Sequence, residues 1–226
     1  MSEGRLSVVA TPIGNLADLA PRAAEALAAA DVWLVEDTRV SGKLQALLGV
    51  KKPMRLLNEH TAPTTVDRYA AEIAAGIHAA VLTDGGAPGI SDPGADLVDR
   101  CHGLSVRVEP LPGPSAVITA LMASGFYAQR FAFLGFLPRK PGPVRAELSA
   151  FADSPMTLVA FESPHRIDKL LTLSYEALGA RRFVLARELT KLYEQIWRGR
   201  LPEIPSAQDV PRRGEFTVVW EGKRKG

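Results

Sequence analysis

Short apolar runs recur along the first half of the chain, and each breaks off into a polar or glycine-rich stretch. Residues 6–10, 32–35, 54–57, 79–82 and 106–109 are such runs, β-branched or otherwise apolar and too short for helices, and they predict buried strands. Longer mixed segments lie between them. Residues 21–30 are alanine-rich with Pro21 at the opening; residues 42–48 stop at Gly49. Residues 64–75 are opened by Thr64 as a cap and closed by Gly76, and residues 95–102 are closed by Gly103. This alternation of strand and helix predicts a mainly parallel sheet covered on both faces.

The second half keeps the alternation and then changes. Residues 116–124 predict a small-residue helix and residues 131–136 an aromatic strand broken by Gly135. A basic, proline-rich loop over residues 138–143 precedes a helix reaching about Ala152, followed by a strand at 157–161. A helix over 167–178 ends at Gly179, and a strand over 183–186 follows. Residues 193–197 and 216–220 read as antiparallel strands, with Pro202, Pro205 and Pro211 making the stretch between them irregular. The fold class is therefore α/β, in two α/β domains over residues 1–113 and 114–226 with Pro112-Gly113-Pro114 as the hinge.

Composition narrows the class. The chain has 226 residues, a 46% apolar share and one cysteine, Cys101, which excludes an internal disulfide. No basic segment followed by an apolar stretch opens it, and no apolar run approaches the roughly 20 residues that cross a bilayer. A cytoplasmic protein with soluble partners is expected. Net charge is +2, unevenly divided: residues 1–113 hold 10 Lys+Arg and 14 Asp+Glu, a net −4, and the remainder carries +6. That division points to an anionic partner for the second half. Three of those charges belong to Lys223-Arg224-Lys225, read as a disordered tail.

The densest punctuation is TDGGAPGISDPG at residues 83–94, with four glycines and two prolines directly after an apolar run. Ligands of open α/β sheets bind beyond the carboxyl ends of strands, so this loop is the first candidate site. The other reading is a tight connection in which Asp92 caps the following helix. Neither G-x-G-x-x-G after the first strand nor a G-x-x-x-x-G-K-[ST] phosphate loop is present. Glycines without a phosphate cradle suit a ligand with an adenine and a ribose that approaches backbone closely, and S-adenosylmethionine fits. His60, His78, His102 and His165 are scattered and Cys101 has no partner at metal-ligand spacing, so no metal site is expected. Ser115 and Ser163 lie outside any G-x-S-x-G elbow. Glu36, Asp37 and Glu188 follow strands, where a carboxylate serves as a cap, an ion-pair partner or a general base.

Seven ordered motifs carry a resemblance: TPIGNL (11–16), EDTR (36–39), GGAPGISDPG (85–94), PGPSA (112–116), GFLPRK (135–140), ESPHR (162–166) and ARELTK (186–191). Over nearly the whole chain, from about Leu6 to Glu221, it resembles the cytidine 2′-O-methyltransferases of small-subunit ribosomal RNA, a branch of the tetrapyrrole methylase superfamily. The resemblance implies two α/β domains with S-adenosylmethionine in the cleft between them, a homodimer, and methylation of a cytidine ribose in the decoding region of 16S ribosomal RNA. It places the cofactor against Pro12, Asp84, Gly85, Gly86, Ala87, Ile90, Ser115, Ala116, Phe161, Glu162 and Leu189. Ala87 stands where the tetrapyrrole enzymes have an aspartate, for which Asp84 or backbone substitutes. Glu36, Asp37, Glu188 and Lys191 become the catalytic candidates, and Arg39, Arg139, Lys140, Arg166 and Arg187 the RNA-phosphate candidates. Residues 201–213 are proline-rich where a helix is expected. Two rivals stay open: a tetrapyrrole C-methyltransferase of the same fold, and a non-catalytic RNA-binding protein.

Overall fold

In a computed structural model that describes residues 3–224, the chain forms two compact units, Met1–Ser115 and Ala116–Gly226.

The first unit is a wholly parallel sheet. Its strands are β1 (Arg5–Val9), β2 (Val32–Val35), β3 (Met54–Leu56), β4 (His78–Leu82) and β5 (Arg107–Leu111), ordered β3-β2-β4-β1-β5. The central strand β4 is buried along its whole length, as a strand covered on both faces must be. Leu6, Leu34, Ala79 and Val81 pack on one face under α3 (Pro63–Ala74) and α4 (Ala95–Gly103). Val9, Trp33, Val35, Ala80 and Leu82 pack on the other under α1 (Pro21–Ala29) and α2 (Thr38–Leu48). Trp33 is fully buried and its indole N–H donates to the Leu27 carbonyl at 3.0 Å, so apolar burial leaves no polar group stranded. Pro110 occupies β5, an edge strand, where a missing donor is tolerated.

Three local expectations change. The helix expected over 42–48 begins at Thr38, because Asp37 caps it by accepting the Arg39 N–H at 2.8 Å. Thr64 caps nothing: α3 starts with Pro63 as its first residue, where the missing N–H costs no helical bond. Asp92 does not cap α4, whose N-cap is Gly94 without a side-chain bond.

The second unit is a mixed sheet, a departure from the parallel pattern that alternation predicts. Its strands are β6 (Phe131–Phe136), β7 (Thr157–Glu162), β8 (Arg182–Arg187), β9 (Gln195–Arg200) and β10 (Phe216–Trp220), ordered β6-β7-β10-β8-β9. Only the β6–β7 pair is parallel. The last strand, β10, inserts between β7 and β8 and is fully buried, while β9 pairs with the far side of β8. One face is closed by α6 (Pro141–Ser149) and α7 (Ile167–Leu178), through Val144, Leu148, Leu170 and Leu171 on Leu158, Phe183, Val218 and Trp220. The other is crossed by α5 (Ala116–Ser124), which lies over β7, β8, β9 and β10. Pro141 opens α6, so the basic loop is shorter than expected.

Residues 201–213 contain no helix or strand and are held by side chains instead. Arg212 pairs with Asp168 and donates to the Pro205 carbonyl at 2.6 Å, while Val210 is fully buried. The expected tail is tied down where it is described: Lys223 pairs with Asp153, and Arg224 with Glu221 at 2.6 Å. Lys225 lies outside the described residues.

Candidate functional site

In the first unit, parallel pairing sends the carboxyl ends of all five strands to one edge of the sheet, the edge that binds ligands in such sheets. TPIGNL leaves β1 there, EDTR leaves β2, the glycine loop leaves β4 and PGPSA follows β5. The β1 and β4 loops are bonded to each other. The Thr11 N–H donates to the Gly86 carbonyl at 2.9 Å and the Gly86 N–H to the Thr11 carbonyl at 3.0 Å, while the Thr11 hydroxyl donates to the Thr83 carbonyl at 3.2 Å. Gly86 has φ +96°, a backbone setting that side chains strain. A Cβ at Gly85 would lie 3.2 Å from the Pro12 carbonyl oxygen, and one at Gly113 would lie 3.0 Å from Ala10. Glycine is used here for close backbone approach. Ala87 and Ile90 sit in a turn closed by the Ile90 N–H to the Ala87 carbonyl, with Ile90 half exposed. Ser115 is partly buried directly before α5, and Ala116 begins that helix.

Four acids gather around this edge. The Asp84 N–H donates to Glu36 Oε2 at 3.3 Å, and the Thr83 hydroxyl donates to Asp92 Oδ2 at 3.4 Å. Burial, with Glu36 and Asp37 nearby, raises the proton affinity of Asp84. Asp92 is pushed up to about 6, first by burial and then by the Glu36 charge. Asp37 goes the other way: hydrogen bonds from the Arg39 side chain and backbone hold it down to about 2. Arg39 is thereby committed to Asp37 although 88% of its side chain is exposed. Asp92, which the sequence leaves open between a loop site and a helix cap, lies beside these acids and caps no helix. The signal was present in Thr83, a hydroxyl that a buried carboxylate nine residues on can use.

In the second unit, pairing directions place the carboxyl ends of β6, β7 and β8 at one edge. GFLPRK, ESPHR and ARELTK therefore converge. The Glu162 side chain is 1% exposed; its Oε1 accepts the Ser163 N–H at 2.7 Å. Arg166 Nη2 lies 3.2 Å from Glu162 Oε2 but aims its hydrogens at the Leu137 and Pro138 carbonyls, 3.1 and 2.7 Å away. Glu162 Oε2 consequently has an ion-pair neighbour and no hydrogen bond among the described residues. Burial raises the Glu162 proton affinity, against the pull of Ser163 and Arg166.

Arg187 is likewise turned inward, donating to the Arg213 and Tyr193 carbonyls at 2.8 and 3.0 Å. Of the five arginines and lysines expected on phosphate, Arg139 and Lys140 alone are exposed with no ion pair among the described residues. Arg166 and Arg187 donate to backbone carbonyls.

Glu188 and Lys191 form a closed pair. Glu188 Oε1 accepts from Lys191 Nζ at 3.1 Å and from the Glu215 N–H at 2.9 Å, and Lys191 reaches Glu215 Oε2 at 3.0 Å. Burial raises Glu188, but the Glu215 N–H and Lys191 outweigh it and leave the carboxyl below its ordinary value. Burial lowers Lys191, and Glu215 and Glu188 outweigh that, so the ammonium is retained. Neither group has the proton affinity of a base at neutral pH. Their loop is strained: Glu188 has φ +50° and Thr190 φ +66°, the Leu189 side chain is buried, and the Thr190 hydroxyl is buried without a hydrogen-bond partner among the described residues. Strain of this kind collects at functional loops. Among the described residues no group of side chains has metal-ligand geometry, and no helix is long and apolar enough to cross a membrane.

Two sheets with these loop edges are the signature of a class. The family model of the Tetrapyrrole (Corrin/Porphyrin) Methylases matches residues 5–205. Among solved structures, the methyltransferase CobJ superposes with a TM-score of 0.71 at 18% identity, over 99% of this chain and 98% of that one. Uroporphyrin-III C-methyl transferase from Thermus thermophilus, complexed with S-adenyl homocysteine, gives 0.66 at 21% identity, over 96% and 97%. Sequence relationship is nearer elsewhere: ribosomal RNA small subunit methyltransferase I of Xylella fastidiosa (strain Temecula1) is 41% identical over 223 residues, 97% of this chain and 82% of that protein. The chain belongs to the tetrapyrrole methylases and, within them, to the family of the ribosomal RNA small subunit methyltransferases I.

Proposed function

We propose that the protein transfers a methyl group from S-adenosylmethionine to the 2′-hydroxyl of a cytidine in the decoding region of 16S ribosomal RNA. Membership of a family whose curated relatives carry the name ribosomal RNA small subunit methyltransferase I is the observation that carries this reading. The resemblance adds a homodimer acting in the cytoplasm on RNA of the small ribosomal subunit.

The residues fit the cofactor on grounds of charge. Burial and the Glu36 charge raise the proton affinity of Asp84 and Asp92, and the nearby Arg39 is committed to Asp37. Such an edge favours a cationic ligand, which a sulfonium compound is. Gly85 and Gly113 let the loop backbones pack directly on Pro12 and Ala10, which fixes the loops that carry these acids. Pro12, Asp84, Gly85, Gly86, Ala87, Ile90 and Ser115 of the first unit would hold the cofactor. When bound it supplies an electrophilic methyl whose leaving group is a neutral thioether.

The chain must orient the ribose hydroxyl and receive its proton, and orientation provides much of the acceleration. Asp37 is too acidic to receive it, Lys191 is already protonated, and Glu188 is locked to Lys191. Asp92 has the proton affinity closest to neutral and Glu36 is beside it, so proton removal falls to these first-unit acids. Lys191, held as an ammonium, suits a phosphate or hydroxyl contact. The test is transfer from methyl-labelled S-adenosylmethionine to small-subunit RNA, naked and in assembled subunits. Label in one alkali-resistant cytidine ribose is expected; label on a porphyrinoid instead, or binding of RNA without transfer, overturns the reading.

A further inference from the structure

Aromatic side chains gather at one place where the second unit leaves them uncovered. Strand β6 is an edge strand, and none of its residues is buried. Gly135, with φ +60°, interrupts its pairing, and the register with β7 shifts between Phe133 and Phe136. The shift brings Phe136 opposite Phe161. As a result three rings meet: Phe133 packs edge-on against Phe161 with centroids 4.9 Å apart, and Phe136 lies tilted at 5.5 Å from Phe161. Phe136 remains 63% exposed.

Two cations follow at once. Arg139 and Lys140 are exposed and have no ion pair among the described residues, while Arg166 fixes the intervening turn by binding the Leu137 and Pro138 carbonyls. The ring and the two charges are thus displayed from a braced loop. An exposed ring over a supporting ring, next to unpaired cations, is the chemistry of single-stranded nucleic acid binding, in which a base stacks and the adjoining phosphates are neutralised. Arg139 and Lys140 give the patch charge complementarity to a polyanion, which an oily protein partner would not need.

We infer that Phe136, braced by Phe161 and Phe133, is the platform on which one unpaired base of the RNA substrate stacks while Arg139 and Lys140 hold the phosphates beside it. This rests on the RNA reading above and specifies the RNA-binding element. A base on Phe136 would sit one ring away from Phe161, a residue assigned to the cofactor.

The experiment uses the full chain and a short single-stranded RNA from the small-subunit decoding region, with 2-aminopurine at successive positions as the stacking probe. Phe136→Ala should lose roughly tenfold or more in RNA affinity and abolish the fluorescence quench at one position. Phe136→Trp should restore both, and affinity for S-adenosylhomocysteine should be unchanged in each. Wild-type RNA affinity and quench in a folded Phe136→Ala protein overturn the platform, as does a change confined to cofactor affinity or to the sedimentation of the dimer. Methyl transfer by the wild type to small-subunit RNA, naked and in assembled subunits, separates the two readings. Its loss overturns the function itself; its presence with an indifferent Phe136 overturns the platform alone.

Discussion

The two sheet edges treat their charges in opposite ways. At the first, Glu36, Asp84 and Asp92 crowd together and burial raises the proton affinity of Asp84 and Asp92, the latter to about 6. At the second, Glu162 is set against Arg166, and Glu188 against Lys191 and the Glu215 N–H. The first edge is left electrostatically unfinished and can be completed by a cation; the second pairs its buried acids internally and leaves Arg139 and Lys140 exposed. Charges that are already paired build structure, and charges left facing like charges are available for chemistry.

The largest effect should come from breaking the balanced edge. Arg166→Ala removes the cation next to a carboxylate that is 1% exposed and frees two carbonyls. A loss of about 3 kcal/mol is expected in urea unfolding, because an unpaired buried charge remains. Arg166→Ala with Glu162→Gln should recover part of it; equal losses in the single and double variants would show that the charge on Glu162 is not the cause.

Next in size is relief of the unfinished edge. Asp92 is raised, so between its unfolded value of 3.8 and its native value of about 6 the native state holds the proton that the unfolded chain has released. Stability from this group falls as pH rises through that window and stays lower at neutral pH. Asp92→Asn keeps an acceptor for the Thr83 hydroxyl and should raise stability at pH 7 by about 1–2 kcal/mol, with no gain at pH 3. Methyl transfer should drop in the same variant. A stabilised, fully active Asp92→Asn enzyme would take the proton-accepting role away from Asp92.

A smaller, opposite slope belongs to His78, lowered by burial and by Arg5, with Asp31 and Glu109 opposing. Arg5 donates to its Nδ1 at 3.2 Å, which leaves Nε2 to donate to the Ser7 hydroxyl at 2.9 Å. Both contacts suit the neutral ring. Its contribution is intact above the unfolded value of 6.5 and is lost as pH falls below it, because the unfolded chain takes the proton first. His78→Gln should flatten that part of the thermal-stability profile. Smallest of all, Arg39→Ala should leave thermal stability unchanged within error, since that pair is exposed, although Asp37 should then titrate at a higher pH by NMR.

The first unit was readable because its strands pair with elements that periodicity reveals: apolar runs of residues 32–35 and 79–82 became β2 and β4 with the expected burial. The second sheet was less so. Nothing local in FTVVW says that it slips between β7 and β8, since that choice is made by partners distant in sequence. Side-chain direction was harder still. Arg166 and Arg187 carry the charge expected of phosphate ligands, but a guanidinium has five donors and neighbouring loop carbonyls compete for them. Phe136 escaped notice because an aromatic in a strand pattern reads as core, and only the bulge at Gly135 reveals that it is not.

The reciprocal bonds between Thr11 and Gly86 have a consequence for how a ligand is received. They close a covalent-chain loop of most of the first unit with two amides, so the segments after β1 and β4 are immobilised during folding. Conformational entropy that would otherwise be lost on association has then already been lost, and binding there keeps more of its contact free energy. The same stitching denies these segments the freedom to open and close. Any exchange of cofactor must draw on slack elsewhere at this edge, and residues 87–93, closed by turn bonds of their own, are the place where amide hydrogen exchange should be fastest.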